Sequence, residues 1–277
     1  RYQKARQNFL RYSELKPDDD KGVLYASYCE KALEWEKETS LFKVNNIKSV
    51  NSSFSDFCPV FFRDGIIFSS DRKADPIDDN TYLWTGAPYL DLYYAQLTGM
   101  MYPYFPTFER PEECPEHFNQ TYHDGTASFS GDGNLLFLTR TIRERTKKDN
   151  ERIMTNILQI FYAERIDGKW SAVKPFKWNE KTYSLGHPSI SEDGNTLYFV
   201  SDMPGGYGGT DIYFSKKTKQ GSWTKPVNLG PEVNTFANEM FPYISGDGIL
   251  YFSSEGHPGL GSLDIFKTKG NDTLWSE

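Results

Sequence analysis

The chain has 277 residues, 38% of them hydrophobic and 16% aromatic, which is enough apolar material for a sizeable core and the composition of an aromatic-rich β-protein. With 31 Lys and Arg against 38 Asp and Glu the net charge is -7, so the basic footprint of a nucleic-acid binder is missing. No apolar run approaches the ~18 residues that span a bilayer, and Cys29, Cys58 and Cys114 form no CxxC pair, which removes zinc-ribbon and thioredoxin-type chemistry.

The sequence opens on Arg1-Tyr2-Gln3-Lys4 with neither Met nor an apolar signal segment, so it is expected to have been preceded by further residues. Residues 1–40 read as a helical segment. Tyr2, Ala5, Phe9 and Tyr12 recur at three- and four-residue steps on one face. Pro17 and the run Asp18-Asp19-Asp20 stop that helix and cap a second one, whose stripe is Leu24, Tyr28, Ala32 and Trp35. The spacing of Ala5, Phe9 and Pro17 is similar to the second half of a tetratricopeptide repeat. A two-helix cap on the following domain explains it equally well.

Residues 41–277 change to a period of two. Asp-Gly pairs stand at Asp64-Gly65, Asp132-Gly133, Asp193-Gly194 and Asp247-Gly248, separated by 68, 61 and 54 residues. Five residues before each Asp comes Pro59, Ala127, Pro188 or Pro242, and eight before that Asn51, Asn119 or Asn234, with Asn179 nine before Pro188. Each Gly is followed by an apolar strand such as Leu197-Tyr198-Phe199-Val200, then by a third strand: Asp91-Leu92-Tyr93-Tyr94, Ile160-Phe161-Tyr162-Ala163, Asp211-Ile212-Tyr213-Phe214 and Asp264-Ile265-Phe266-Lys267. A fourth strand is marked by Trp170 with Pro175 and by Trp223 with Pro226. Four short antiparallel strands per repeat cannot bury both faces alone and must stack on neighbours. The expected fold is mostly β, a β-propeller of four recognisable blades preceded by a helical hairpin. Phe42-Lys43-Val44-Asn45 with Val50-Asn51 lines up with Val227-Asn228 and Val233-Asn234, so an outermost strand opens the β-region and is expected to join the last blade. The fourth repeat stops at Leu274-Trp275-Ser276-Glu277, where the third continues Pro226-Val227-Asn228-Leu229-Gly230, so the intact ring is expected to hold five or six blades. A four-blade ring closed by residues 42–50 is the alternative.

The segment Gly186-His187-Pro188-Ser189-Ile190-Ser191-Glu192-Asp193-Gly194-Asn195, with Gly205-Gly206, Gly208-Gly209 and Thr210-Asp211-Ile212-Tyr213, resembles the PD40 class of WD40-like repeat, which TolB-type propellers share. With tetratricopeptide-like helices in front, the chain is similar to OmpA-family proteins of Bacteroidota, a group that includes a component of the type IX secretion system. The resemblance implies a periplasmic, outer-membrane-associated protein whose partners are envelope or secretion proteins. It also implies that peptidoglycan would be bound only by a C-terminal domain not present here.

Catalytic chemistry is sought and not found. The histidines are His117, His123, His187 and His257, and no GxSxG, HExxH or phosphate-loop motif occurs. The repeated Asp-Gly acids are read as hairpin turns in which Asp accepts its own turn's N–H groups. Asp211 and Asp264, like Asp91, open third strands, but Gln159 takes that place in the second blade, which argues against a ring of metal ligands. No catalytic residue, metal or cofactor is expected. The informative variation lies in the connections between second and third strands, which leave one face of a propeller. They are long at about residues 72–90, with Tyr82, Trp84 and Tyr89, and at about 141–157, with Arg143, Arg145, Lys147, Lys148 and Arg152. Tyr207 sits in the short Gly-rich connection 205–209. An aromatic patch beside basic residues on an acidic chain predicts a recognition surface, with ordinary solvated loops as the alternative. The expected function is a non-enzymatic protein-interaction scaffold of the bacterial envelope, with a glycan- or peptidoglycan-fragment-binding propeller as the alternative.

Overall fold

The computed structural model describes residues 1–37, 43–72, 81–101, 105–115, 117–148, 151–272 and 274–276. Helix α1 (Tyr2–Leu15) and helix α2 (Lys21–Trp35) form the expected hairpin. The turn is fixed by Asp19, which accepts hydrogen bonds from the Tyr12 hydroxyl at 2.7 Å and the Lys21 N–H at 3.0 Å. The buried stripe of α2 differs from the one expected: it is Gly22, Ala26, Cys29 and Ala32, while Trp35 is exposed. Small residues are needed there because α1 lies close, and a Cβ on Gly22 would sit 2.8 Å from that of Ser13. No described helix is long and apolar enough to cross a membrane.

The rest is four antiparallel sheets in chain order, each a propeller blade. Blade 1 comprises β1 (Asp56–Phe62), β2 (Gly65–Ser70) and β3 (Asp91–Met101), with β4 (Phe105–Phe108) and β5 (Glu112–Glu113) both paired to β3. Blade 2 comprises β6 (Asp124–Phe129), β7 (Leu135–Lys148) and β8 (Glu151–Ile166), with β9 (Lys169–Trp170) and β10 (Lys174–Pro175) paired to β8. Blade 3 runs β11 (Leu185–Ile190), β12 (Thr196–Ser201), β13 (Asp211–Lys216), β14 (Val227–Asn228). Blade 4 runs β15 (Glu239–Ile244), β16 (Ile249–Ser254), β17 (Asp264–Asn271), β18 (Leu274–Trp275).

Strand alternation explains the stacking. On β12, Leu197 and Phe199 face the core shared with blade 2, which holds Phe137, Ile160 and Phe176, whereas Tyr198 and Val200 face the core shared with blade 4, which holds Leu250 and Phe252. Ile67, Leu92, Leu136 and Leu138 make the equivalent core between blades 1 and 2. Phe137, Leu138, Leu197 and Phe199 have no exposed surface, and each such side chain contributes about 1.5–3 kcal/mol.

The turns repeat one hydrogen-bond design. Asp193 accepts from the Ser191 hydroxyl at 2.5 Å and the Asn195 N–H at 3.0 Å, and Ser191 Oγ accepts the Thr196 N–H at 2.9 Å. Asp132 and Asp247 are bonded to Ser130 at 2.6 Å and Ser245 at 2.5 Å in the same way. Gly133, Gly194 and Gly248 have φ of 66°, 71° and 79°. Blade 1 departs from this expectation. There Arg63 takes the left-handed position at φ 53°, and Gly65 opens β2 where a Cβ would lie 2.3 Å from the Ala95 carbonyl oxygen. Asp64 instead accepts from the Tyr94 hydroxyl at 2.6 Å and Gln96 Nε2 at 3.0 Å.

Two further expectations are corrected. The stretch 141–157 is not a loop: β7 and β8 stay paired from Leu135↔Glu164 to Lys148↔Glu151 as one long hairpin. Residues 43–50 form no strand beside blade 4. Phe42 and residues 73–80 of the blade 1 connection lie outside the described residues.

Candidate interaction surface

Each inner strand carries a bulge whose extra residue is in the left-handed region: Cys58 at φ 51°, Thr126 at 41°, His187 at 49° and Phe241 at 53°. These four line an axial cavity of about 260 Å³. The bulges link blade to blade. The Thr126 N–H donates to Ser69 Oγ at 2.8 Å, the His187 N–H to Thr139 Oγ1 at 2.9 Å, and the Phe241 N–H to His187 Nδ1 at 3.4 Å. The His187 and Phe241 rings stack at 4.1 Å. Desolvation pushes the His187 pKa down to about 4 and the Cys58 thiol up to about 12, so near neutrality both stand uncharged.

The expected rim surface is partly assembled. Residues 81–88 form a tight turn, closed by the Thr81↔Pro88 bridge and the Tyr82 N–H to Ala87 carbonyl bond at 2.8 Å, with Gly86 at φ 73°. Its tip presents Leu83 and Trp84, 95% and 87% exposed. Its base turns Tyr82 and Tyr89 onto His123, ring to ring at 4.6 and 4.8 Å. Tyr89 also meets Tyr122 edge-on at 5.6 Å. Arg143, from the first strand of the blade 2 hairpin, lies over the Tyr122 ring at 5.4 Å and reaches its hydroxyl at 3.4 Å. The aromatic group of blade 1 and the basic strand of blade 2 therefore join at Tyr122 and Arg143. A concavity of about 520 Å³ opens beside them, lined by Gln120, Tyr122, Thr141, Arg143 and Met154.

His123 Nδ1 accepts the Leu90 N–H at 3.0 Å, and burial lowers its pKa, so the ring is neutral and acts as a hub for the tyrosines. Arg145 is exposed one alternation further along β7, and Lys147 pairs in register with Arg152 near the hairpin end. Tyr207 stands apart. Its N–H donates to Asp211 at 2.5 Å, and its neighbour Gly208 abuts the Ala237 carbonyl at the blade 3 to blade 4 junction. Asp211 and Asp264 bond backbone N–H groups of their own connections, Asp264 those of Leu260 at 2.6 Å and Gly261 at 3.0 Å. Among the described residues no three His, Cys, Asp or Glu are grouped to hold a metal ion.

Tyr122 and His123 escaped the sequence reading because they lie in the link into blade 2, outside the long connections. The axial residues escaped it because Cys, Thr, His and Phe share no chemistry. Only their place before Pro59, Ala127, Pro188 and Pro242 marks them.

No known protein family matches the chain by sequence, and no curated protein matches it. Among solved structures it is similar to TolB from Acinetobacter baumannii, at 14% identity and a TM-score of 0.39, covering 67% of this chain and 36% of that one. It is similar to a putative TolB from Agrobacterium tumefaciens, at 13% identity and a TM-score of 0.41, covering 76% of this chain and 64% of that one. It is also similar to a puromycin-hydrolyzing peptidase of Mycobacterium tuberculosis, at 13% identity and a TM-score of 0.41, covering 80% of this chain and 38% of that one. The chain thus spans less than two thirds of the length of each. The expectation of a non-enzymatic protein is corrected here: a peptidase stands among the similar structures, so enzymatic function is not excluded.

Proposed function

We propose that this propeller is a macromolecule-binding element of the bacterial envelope, and that its binding surface is the rim of blades 1 and 2. The single observation that carries the reading is the aromatic group in which Tyr82 and Tyr89 pack on His123, Tyr89 meets Tyr122 and Tyr122 carries the Arg143 guanidinium, beside the exposed Leu83–Trp84 tip. Trp, Tyr and Arg are the residue types that dominate protein–protein hot spots, and a ring-stacked guanidinium is already oriented for a carboxylate. Basic side chains on a chain of net charge -7 favour an acidic segment of the partner protein. The envelope setting, including an OmpA-type or type IX secretion assembly, is supported by the PD40-like repeats behind two tetratricopeptide-like helices.

The test is affinity capture from envelope extract, followed by titration of the captured protein. Trp84→Ala and Arg143→Ala are each expected to weaken binding about 10–100-fold. Recovery of no envelope protein, or binding that both variants leave unchanged, contradicts the reading. The open indole of Trp84 favours a second one, a glycan-binding surface. Saturable binding of a muropeptide, lost in Trp84→Ala, would select it.

A further inference from the structure

The repeat Asn residues clamp third strands. Asn119 Oδ1 accepts the Leu92 N–H at 2.9 Å and its Nδ2 donates to the Leu92 carbonyl at 3.1 Å. Asn179 holds Ile160 at 3.0 and 2.7 Å, and Asn234 holds Ile212 at 2.7 and 2.9 Å. In every case the Asn lies just before one blade and grips the third strand of the blade before it, at the residue that is Leu or Ile. The amide side chain thereby stands in for one more rung of backbone pairing.

Asn51 is the fourth copy of this device. It lies eight residues before Pro59, as Asn119 lies before Ala127 and Asn234 before Pro242. It is held in place as Asn119 and Asn234 are. The following Ser52 N–H donates to Asp56 at 2.6 Å, as Gln120 does to Asp124 at 2.5 Å and Thr235 to Glu239 at 2.8 Å. Arg72 Nη2 additionally binds the Val50 carbonyl at 2.7 Å. Yet among the described residues Asn51 grips no third strand: it is exposed and donates to Asn46 Oδ1 at 2.8 Å, where Asn119 and Asn234 are 6% and 2% exposed.

The surroundings of Asn51 agree. Val227–Asn228 pairs with β13 as an outer strand, but Val44–Asn45, at the same offset from the clamp, forms no strand and Val44 is 94% exposed. Phe129 stands three residues before the Asp of its turn and stacks on Phe62 of the preceding blade at 4.3 Å. Phe61, in the same place on blade 1, is 81% exposed. Beside it runs a groove of about 450 Å³ lined by Ile47, Val50, Phe61, Phe68, Leu97 and Met100. Blade 4 does not occupy the clamp, since Ile265, the counterpart of Leu92, Ile160 and Ile212, is 80% exposed while those three are at most 2%.

We propose that residues 43–51 and the outer face of blade 1 form a strand-capture site for a further sheet of this same repeat, taken by its third strand of pattern Asp-(Ile/Leu)-aromatic. The three internal blade junctions define the complement: backbone N–H and C=O for Asn51, an edge for Val44–Asn45, and apolar side chains for the groove. A second copy bound through blade 4 would be a head-to-tail contact that leaves two new faces open, the arrangement that builds filaments, whereas one inserted sheet satisfies both ends.

The test is residue-resolved amide hydrogen exchange on the intact chain, with and without a synthetic peptide of its own third strand, Gly209 to Ser215. Exchange at residues 43–46 is expected to be fast in the protein alone and to slow about tenfold or more with peptide. It is expected to stay fast with a scrambled peptide, and with the true peptide in Asn51→Ala, whose near-UV circular dichroism should match the parent. No slowing, or equal slowing in Asn51→Ala, overturns the proposal. Slow exchange without peptide also overturns it, assigning the site to a second copy if it depends on protein concentration and to this chain's own blade 4 if it does not.

Discussion

At the scale of single residues the four left-handed bulges each carry a local cost, because a non-glycine residue there is held about 1–2 kcal/mol above its relaxed backbone. The inter-blade bonds and the axial packing offset it. His187 adds a pH dependence whose sign follows from its burial. Unfolded, it titrates near 6.5; folded, it is held at about 4, so between those values the unfolded chain takes up a proton that the folded chain refuses. The His187 contribution is full above pH 6.5, falls by about 3 kcal/mol as pH drops to 4, and is flat below. Urea midpoints measured from pH 4 to 7 should trace this loss, and His187→Asn, which tolerates positive φ, should flatten it. The Asp-Gly turns were legible in sequence because every partner of Asp193 lies within two residues of it. The bulge was not, because a backbone register is shared by Cys58, Thr126, His187 and Phe241 while no side-chain type is.

Elements are joined by the Asn clamps and by buried charge. Asn234→Ala should destabilise the chain by about 1–3 kcal/mol, since the N–H of fully buried Ile212 loses its partner while the Ile212 carbonyl keeps only the Leu229 N–H at 3.1 Å. Asn51→Ala should cost less than about 0.5 kcal/mol in the same denaturation experiment, because its clamp is empty. Arg140 and Asp124 form an ion pair at 2.5 Å with 6% and 0% of their side chains exposed. Arg140→Met would leave a buried carboxylate and should cost about 3–5 kcal/mol, most of it recovered by also making Asp124→Leu. The recurrence of Asn was visible in the sequence, but its role was not, because the partner lies 22 to 27 residues away across a blade boundary for Asn234 and Asn119. The β7–β8 hairpin read as a loop for another reason. Arg143, Glu144, Arg145 and Lys147 show no apolar face, so the two-residue period had nothing to mark it, although backbone pairing continues throughout.

Across the whole molecule, the helical hairpin does not sit on the blade that follows it. The Tyr2 hydroxyl donates to the Leu260 carbonyl at 2.7 Å, the Tyr28 hydroxyl to the Gly256 carbonyl at 3.1 Å, and Tyr25 packs edge-on against Phe236 at 6.1 Å. Its seat is blade 4. Tyr25→Ala should therefore speed amide exchange around residues 235–237 and 256–260 while leaving blades 1 and 2 as they were. Uniform acceleration would show that the hairpin supports the fold globally. Amphipathic spacing identified the helices, since it depends on neighbours three and four residues apart. Their seat depends on a contact spanning 258 residues, for which spacing holds no signal.

That contact gives the two helices an unusually late appointment. At a synthesis rate of about 5–20 residues per second, the two helices wait roughly 10–45 s for residues 256–260 to emerge from the ribosome. Throughout that interval the aromatic side of Tyr25 and Tyr28 is unshielded. Blades 1 to 3 can assemble against each other as they appear, so completion of blade 4 and docking of the hairpin should fall together as the last step in assembling these four blades, and until then a chaperone has access to the undocked helices.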